Sequence, residues 1–229
     1  MSDMPRDFRI QMPKRFELLV FDWDGTLMDS AEAIIASIQE SCRDLGLPVP
    51  RRERAAHVIG LGLKDALSYA VPELPVSDYG KLAERYRHHY LTRDPDIELF
   101  PGMREMLDEL KQQGYLLAVA TGKSRVGLDR VLVSTQLKPY FDASRCADET
   151  HPKPHPAMLQ ELMAELVIRP EATLMIGDTA HDLQMALSAG VPALAVSYGA
   201  HSRENLTAFN PIACIDTPQE LAPWLTKNA

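Results

Sequence analysis

Asp22 and Asp24 stand one residue apart at the end of an apolar run, Leu18 to Phe21, and Gly25 follows them. The run is typical of a buried strand that ends in a glycine turn. Carboxylates avoid apolar surroundings unless a cation compensates them. A polar turn accounts for Asp24, but it does not account for Asp22, which follows the strand directly. Two acids in this place indicate a divalent metal site, a reactive carboxylate, or both.

A second cluster, Thr121 to Ser124, follows another apolar run. Gly-Lys-Ser is also the end of a nucleotide-binding loop, but that loop requires a glycine where this chain has Leu117. We therefore exclude a nucleotide loop. Two interpretations remain: a hydroxyl that begins the next helix, or a hydroxyl and backbone N–H groups that face an anion at a helix N-terminus.

Charged residues form two further clusters. Lys153 lies between two prolines, and it is either a solvated loop residue or a cation held in place by a stiff backbone. Asp178 directly follows another apolar run, and Thr179 and Asp182 have the spacing of a capping box. The capping box leaves Asp178 unexplained. All four clusters fall where a predicted strand or a long loop leads into a helix, so we expect them to meet at one edge of a sheet.

Apolar strands alternate with helices along most of the chain. Strands are predicted at 17–21, 116–120, 173–176 and 193–196, with an edge strand at 212–215. Helices are predicted at 102–113, 124–135, 156–166 and 179–189. The alternation predicts an α/β fold with a doubly wound, mostly parallel, Rossmann-like sheet that helices cover on both faces.

The segment 30–97 has a different pattern, with helices predicted at 31–45, 64–70 and 77–92 and no convincing strand. We therefore predict an α/β core from residues 1–29 and 98–229 and an inserted α-helical cap domain from residues 30–97. The insertion begins just beyond the two aspartates. It would lie over the carboxyl edge of the sheet, where open sheets of this kind bind ligands.

The composition excludes some classes of partner. The chain has 229 residues, 24 basic and 32 acidic, with a net charge of −8, which argues against a general nucleic-acid partner. No apolar run reaches about 18 residues and the first fifteen residues lack an apolar core, so we expect neither a membrane span nor a signal peptide. Cys42, Cys146 and Cys214 have no metal-binding spacing, and we expect free thiols in a cytoplasmic protein. The sequence leaves the oligomeric state open.

In this combination and order, the motifs resemble those of the haloacid dehalogenase superfamily, in particular its phosphoglycolate-phosphatase-like branch. The motifs that carry the resemblance are Phe21–Leu27, Thr121–Lys123, Lys153–Pro154 and Ile176–Thr179 with Asp182. It extends over most of the chain beyond residue 15, and the insertion resembles the family's cap. The resemblance implies a phosphoric monoester hydrolase acting on a small phosphorylated metabolite, phosphoglycolate-like or a sugar phosphate.

The same resemblance implies a catalytic role for each of four residues. Asp22 is the nucleophile that becomes an aspartyl phosphate, and Asp24 is first the general acid and then the general base. Thr121 and Lys153 bind the phosphoryl oxygens. This division is chemically reasonable, because a cation and a metal must offset the repulsion between an anionic nucleophile and a phosphate ester.

The implied cofactor is Mg²⁺, held by Asp22, Asp178 and the backbone carbonyl of Asp24. Asp182 is expected to support this site directly or through water. The resemblance adds three substrate-binding residues close to the phosphate, the first of which also orients the general acid: Thr26, Gly122 and Lys123.

The cap carries two further candidates for substrate binding. Gly60 to Lys64 lies between predicted helices and is either a flexible turn or a loop that closes over the leaving group. In the second case His57 and Lys64 are the expected polar contacts. A cap that closes would also exclude water from the site.

Several alternatives stay open. A phosphosugar mutase of the same superfamily keeps both acids, and a phosphonoacetaldehyde hydrolase would use a cap lysine such as Lys64, although that branch has alanine in place of Asp24. Dehalogenation is disfavoured because Asp24 is present. A phospho-acceptor signalling domain also pairs acids with a hydroxyl and a lysine, but such domains are shorter and uncapped. A non-catalytic binding protein is disfavoured because every motif keeps its reactive residue.

Overall fold

The computed structural model describes residues 14–229. The first part of the predicted core, and with it nearly all of the segment to which the signal-peptide expectation applies, lies outside the described residues. Within residues 14–229, six strands form one sheet: β1 Leu18–Phe21, β2 Leu116–Thr121, β3 Ala143–Cys146, β4 Thr173–Gly177, β5 Ala193–Val196 and β6 Ala213–Ile215.

The strand order is β3-β2-β1-β4-β5-β6, and every neighbouring pair is parallel. This confirms the predicted doubly wound α/β fold, with a sheet that is fully parallel among the described strands. The register places Phe21 of β1 opposite Val119 of β2 and Ile176 of β4. Because β2 and β3 lie on one side of β1 and β4 to β6 lie on the other, the strand order reverses beside β1, which is where such sheets bind ligands.

Ten α-helices complete the described chain: α1 Ala31–Asp44, α2 Arg52–His57, α3 Leu63–Ala70, α4 Tyr79–Arg93, α5 Met103–Gln112, α6 Arg125–Ser134, α7 Ala157–Leu166, α8 Ala180–Ala189, α9 Arg203–Thr207 and α10 Pro218–Asn228. Alternate residues of β1 face opposite sides of the sheet. Leu19 and Phe21 belong to an apolar cluster shared with α5, α6 and α10, whereas Leu18 and Val20 belong to one shared with α7 and α8. Helices therefore cover both faces, which explains why β1 is apolar without interruption.

Helices α1 to α4 form the inserted cap and have an apolar cluster of their own. Ile35 and Ile38 of α1, Leu67 of α3 and Leu82 of α4 are buried in it. The helical insertion is thus present as expected, and the limits at residues 30 and 97 stay predictions.

Several elements were not predicted from the sequence. Strand β3 contains Ser144 and Arg145 and lies at the edge of the sheet, so it lacks an apolar signal. Helix α2 has 6 residues and α9 has 5, so both are too short to show a helical period in the sequence. Helix α10 contains Pro223, which argues against a helix in sequence terms, yet its capping box at Thr217 starts the helix normally.

Two expectations from composition concern the whole fold. The three cysteines, Cys42, Cys146 and Cys214, are all free thiols. Among residues 14–229, no helix combines the length and the apolar composition needed to cross a bilayer.

Candidate active site

The acids of the first and fourth clusters follow neighbouring strands. Asp22 comes directly after β1, and its backbone N–H donates to the carbonyl of Ile176 at 2.9 Å, which continues the β1–β4 ladder. Asp178 comes directly after β4, and Thr121 ends β2 on the other side of β1. The parallel sheet therefore brings these side chains to one edge, and all of them are buried.

The Asp22 carboxylate is buried and paired with a cation. Its Oδ1 lies 2.7 Å from Nζ of Lys153 and accepts the Trp23 backbone N–H at 2.6 Å. Its Oδ2 has no hydrogen-bond partner within residues 14–229. Burial raises the pKa of Asp22 well above its ordinary value, although the Lys153 ammonium opposes that shift. The protein thus holds the carboxylate in place through one oxygen and leaves the other free for a ligand.

Lys153 connects two acids. Its Nζ also lies 2.6 Å from Oδ1 of Asp182, and both side chains are fully buried. Burial disfavours the Lys153 ammonium, but the carboxylates of Asp182 and Asp22 outweigh that effect and hold its pKa above the ordinary value. Lys153 is therefore a buried cation paired with Asp22 and Asp182, and not a solvated loop residue.

Asp178 is held by two donors. The Thr26 hydroxyl donates to its Oδ1 at 2.9 Å, and the Ala200 backbone N–H donates to its Oδ2 at 2.7 Å. Gly25 has a φ of +81°, and a Cβ there would lie 2.2 Å from Asp178 Oδ2, so this turn requires glycine for both conformation and space. Burial, and then the Asp182 carboxylate, raise the pKa of Asp178 to about 7. Thr26 therefore binds Asp178, whereas the sequence associated it with Asp24.

The carboxylates of Asp22, Asp178 and Asp182 could hold a metal ion, because one oxygen from each lies within 4.8 Å of the others. Lys153 is the ammonium paired with this group, so ionisation of all three acids leaves an excess of negative charge in a buried space. Three observations fit a divalent cation: the excess negative charge, the raised pKa values of Asp22 and Asp178, and an Asp22 Oδ2 that lacks a partner in the described part of the chain. Asp182 is the least available ligand, because its Oδ2 accepts the Thr179 backbone N–H at 3.1 Å in the capping box of α8.

Asp24 makes a separate set of contacts that point toward the cap. Its Oδ1 accepts the Ser30 hydroxyl at 2.7 Å and lies 2.9 Å from Nζ of Lys123. Lys123 also donates to the hydroxyl of Tyr90 on cap helix α4 at 2.9 Å. Burial opposes the charge of Lys123, but Asp24 and Tyr90 hold its pKa above the ordinary value. The Lys123 amine is thus engaged with the expected general acid, and Ser30 and Tyr90 are site residues that the sequence did not identify.

The segment after β2 touches the cap loop directly. The Thr121 hydroxyl accepts the Lys123 backbone N–H at 3.1 Å. A Cβ on Gly122 would lie 2.5 Å from the carbonyl oxygens of both Gly60 and Leu61. The cap loop and the core backbone therefore meet at a position where no side chain fits.

The two cap candidates are placed differently. Lys64 is exposed and lines a cavity of about 660 Å³ between cap and core, whereas His57 is not among the residues that line it. The His57 carbonyl lies 2.7 Å from Nε2 of His181 and 3.2 Å from Nε2 of His201. His57 thus belongs to the contact between α2 and the core, and its role as a substrate ligand stays a prediction without a supporting contact.

His57, His181 and His201 also lie close enough together to resemble a metal centre. However, His201 accepts the Ala180 backbone N–H at Nδ1, 3.0 Å away, so its Nε2 carries the proton that it shares with the His57 carbonyl. Burial, and then His181, lower the pKa of His201 to about 4, which keeps this ring neutral. Both nitrogens of His201 are occupied, and these imidazoles form a junction between cap and core.

The structure therefore brings together the residues expected from the first, second, third and fourth clusters: Asp22, Asp24, Thr26, Thr121, Gly122, Lys123, Lys153, Asp178 and Asp182. Their individual roles stay predictions. No sequence signal identified Tyr90, because it bonds to Lys123, 33 residues away and in the core. Ser30 lies six residues after Asp24 but belongs to no motif around it.

Comparisons with known proteins agree with this geometry. A family model described as haloacid dehalogenase-like hydrolase matches residues 19–196. The chain is 38% identical over 211 residues to "Probable phosphatase IndB" of Dickeya dadantii, covering 89% of this chain and 91% of that protein. It is 31% identical over 215 residues to "Pyrophosphatase PpaX" of Bacillus mycoides, covering 93% and 98%. The crystal structure of a "predicted phosphoglycolate phosphatase" from Haemophilus somnus superposes with a TM-score of 0.81 at 25% identity, covering 93% of this chain and 98% of that chain.

Proposed function

Since this chain belongs to the haloacid dehalogenase-like hydrolase family and is a phosphatase, we propose that it hydrolyses a small phosphomonoester through an aspartyl phosphate on Asp22, with Mg²⁺ as cofactor. The observation that carries the proposal is the buried Asp22 carboxylate, which is fixed by Lys153 at one oxygen and unpartnered at the other among the described residues. A carboxylate nucleophile needs one oxygen that the protein itself does not occupy.

The reaction has two displacements. In the first, an Asp22 oxygen forms a bond to phosphorus while the ester bond breaks, and Asp24 gives its proton to the leaving oxygen. In the second, Asp24 takes a proton from water, the water oxygen bonds to phosphorus, and the bond to Asp22 breaks to release phosphate. Lys153 and Thr121 bind the phosphoryl oxygens throughout. The contact between cap loop and core at Gly122 supports this mechanism, because it limits the access of water.

The residues proposed to hold Mg²⁺ are Asp22, Asp178 and the backbone carbonyl of Asp24, supported by Asp182. An all-oxygen donor set with excess negative charge is typical of Mg²⁺ sites. When bound, the ion offsets the charge of the nucleophile and of the phosphoryl group.

The relatives support a small phosphorylated substrate, since their names refer to phosphatase, pyrophosphatase and phosphoglycolate phosphatase activities. For location we propose the cytoplasm, which is consistent with three free cysteines.

The test is phosphate release from para-nitrophenyl phosphate. We expect activity with Mg²⁺, loss of activity with EDTA, and recovery when Mg²⁺ is restored. Asp22→Asn should lower kcat by more than about 10⁴-fold, because it removes the nucleophile. Asp29→Asn, which makes the same change at an exposed position of the same segment, is the matched control.

Mass spectrometry of acid-quenched protein gives a second readout. With 2,4-dinitrophenyl phosphate, whose leaving group needs no proton, a phosphorylated species should accumulate in Asp24→Asn, where the base for the second step is missing. It should be absent from Asp22→Asn. Full phosphate release by Asp22→Asn would falsify the mechanism.

A further inference from the structure

The cavity between cap and core lies beyond the general acid and not at the phosphoryl position. Its lining includes Asp24, Gly122 and Lys123, whereas Asp22, Thr121 and Lys153 are not part of it. Because Asp24 is proposed to protonate the leaving oxygen, the space that starts at Asp24 is the space into which the leaving group of the ester projects. The volume of about 660 Å³ is therefore available to that group.

The walls of this cavity are largely apolar. The apolar lining residues that keep exposed surface are Leu61, Leu63, Tyr86 and Leu91 of the cap and Val126 of the core. Residues of the buried cap cluster lie behind them: Ile34, Ile38, Val58, Ile59 and Leu67. Sites of about 300–1,000 Å³ with such walls bind ligands that have an extended hydrocarbon surface. A leaving group of a few polar atoms would leave most of this wall in contact with water, which is unfavourable.

The cavity is present while cap and core are in contact. At Gly122 the cap backbone approaches so closely that a Cβ would lie 2.5 Å from two of its carbonyl oxygens. Gly62 of the same loop is similarly close to the core, because its Cβ would lie 3.2 Å from that of Ala147. The space is therefore a feature of the seated cap and not a gap left by a displaced one.

Near Asp24, the cations are already paired with carboxylates and are not available to bind a second anionic group of a substrate. Lys123 is the buried cation beside Asp24, and the two are already paired at 2.9 Å. Arg130, which also lines the cavity, pairs with Asp94 at 2.8 Å. Near Asp24, a leaving phosphate, as in pyrophosphate, or the carboxylate of phosphoglycolate would thus meet paired charges and aliphatic carbon. Lys64 and Arg87 have no ion pair within residues 14–229, but they lie at the exposed rim, where solvent screens their charge.

We propose that the substrates of this enzyme are phosphomonoesters whose leaving group has a bulky apolar body, aryl or medium-length alkyl, and that pyrophosphate and phosphoglycolate are poor substrates. This inference rests on the proposed function, since it concerns the leaving group of the same reaction. The proposed substrates differ from pyrophosphate and phosphoglycolate, which the names of the relatives mention.

A homologous series of alkyl phosphates measures the effect directly. Methyl, butyl and hexyl phosphate have leaving alcohols of nearly equal reactivity, so differences in kcat/KM report contacts with the chain. Burying each methylene in an apolar cavity is worth up to about fourfold. We expect kcat/KM to rise at least about tenfold from methyl to hexyl phosphate, with 1-naphthyl phosphate at least as good as hexyl and pyrophosphate and phosphoglycolate no better than methyl phosphate.

A variant pair assigns the effect to the cavity. Leu63 lines it and is partly exposed, so Leu63→Ser should lower the hexyl-to-methyl ratio of kcat/KM. Leu45→Ser makes the same change at a cap residue that is 36% exposed and outside the cavity, and it should leave that ratio unchanged. The comparison uses a ratio within each variant, so a general loss of activity does not affect it.

The outcomes separate the two proposals. The leaving-group proposal is wrong if the enzyme turns over these esters but kcat/KM is the same for methyl, butyl and hexyl phosphate, or if pyrophosphate or phosphoglycolate is the best substrate. Either result would leave the phosphatase mechanism unaffected. Absence of Mg²⁺-dependent turnover with every ester, including para-nitrophenyl phosphate, would overturn both.

Discussion

The two sides of the site are built in opposite ways. At the sheet edge, Asp22, Lys153 and Asp182 form a fully buried, charged group in which each side chain is fixed by another. In the cavity above them, aliphatic residues of the cap surround a large space with few directed polar contacts. Fixed charges discriminate between transition state and ground state, whereas an apolar wall discriminates between leaving groups by size and hydrophobicity.

Under the proposed mechanism, the charged sheet edge carries the reaction and the cap cavity carries the choice of substrate. The charged edge is continuous with the sheet, since Asp22 still bonds to the neighbouring strand. The cavity depends on how four cap helices pack and on where their loop meets the core. Substitutions at the edge should therefore act on all substrates together, and substitutions in the cap should act on their ranking.

The strongest test of this separation is Asp24→Asn, because Asp24 belongs to both sides. General acid catalysis contributes about 10²–10⁴-fold, so phosphoenzyme formation from an alkyl phosphate should slow by that factor. Formation from 2,4-dinitrophenyl phosphate should slow much less, since its leaving group needs no proton. Single-turnover measurements of the phosphoprotein distinguish these rates. Equal losses with both esters would remove Asp24 from the acid role, and Asp29→Asn serves again as the exposed control.

His57, His181 and His201 form the junction between cap and core, and its effect on how protein stability depends on pH can be predicted. The pKa of His201 is lowered to about 4, below the usual value of about 6.5 in an unfolded chain, so the unfolded state binds more protons between these values. The resulting stability is complete above pH 6.5 and is lost as the pH falls toward 4, by up to about 3 kcal/mol.

Chemical denaturation at pH 7, 6, 5 and 4 measures this loss. His201→Asn keeps an acceptor for the Ala180 N–H but cannot gain a proton, so its free energy of unfolding should depend less on pH over this range, although it is lower at pH 7. His155→Asn is the matched control, because His155 also accepts a backbone N–H at Nδ1 but is exposed. Parallel pH profiles for the wild type and His201→Asn would contradict the assignment.

Metal binding at the charged edge should raise the free energy of unfolding by an amount similar to the loss expected from protonation of His201. A divalent ion at 100 times its Kd adds about 2.7 kcal/mol to the free energy of unfolding. Because the pKa of Asp178 is about 7 and the ion binds the ionised carboxylate, the rise in Tm on adding Mg²⁺ should be larger at pH 8 than at pH 6. Asp178→Asn should reduce the rise at both values. A rise that is independent of pH, or intact in Asp178→Asn, would place the ion elsewhere.

Tyr90→Phe is expected to have the smallest effect. It removes the hydroxyl that accepts from Lys123 at 2.9 Å and leaves the pair of Lys123 with Asp24 in place. A hydrogen bond of a charged donor contributes about 1.5–3 kcal/mol, which corresponds to about 10- to 150-fold in kcat. Because the pair of Lys123 with Asp24 remains, we expect a loss near the lower end of this range for all esters. Tyr79→Phe removes a hydroxyl from the same helix, one that donates to the Val71 carbonyl at 2.8 Å and lies outside the cavity. If the two variants behave alike, Tyr90 has no part in positioning Lys123.

Much of the catalytic edge was predictable because its residues violate the usual rules of burial. Asp22 and Asp178 directly follow apolar strands, where burying a carboxylate is costly, and Lys153 lies in a loop stiffened by prolines. Each of these residues can therefore be recognised from its local sequence alone. Ser30 and Tyr90 follow ordinary patterns. Ser30 has the place of a residue that precedes helix α1, and only the packing of cap helix α4 brings Tyr90 to Lys123. The same holds for β3, whose pairing with β2 compensates for a polar sequence.

The cavity was the least predictable feature. The apolar positions of α1 and α3 have the spacing of any helix that packs in a cluster, and some of these residues do pack there. Sequence periodicity does not distinguish a side chain that fills a core from one that faces an unfilled space, because both are apolar and at the same helical positions.

Gly122 gives the enzyme a clearance that no other residue type would allow. Alanine there would act as a spacer between two backbones, since its methyl group would overlap carbonyl oxygens and not flexible side-chain ends. In such a variant we expect the cap and the core to lie slightly farther apart. Water, ester and alcohol would then exchange faster with the site. The absence of a side chain at position 122 thus helps to determine how closely the cap lies on the core, together with contacts such as those of Lys123 with Tyr90 and His181 with His57.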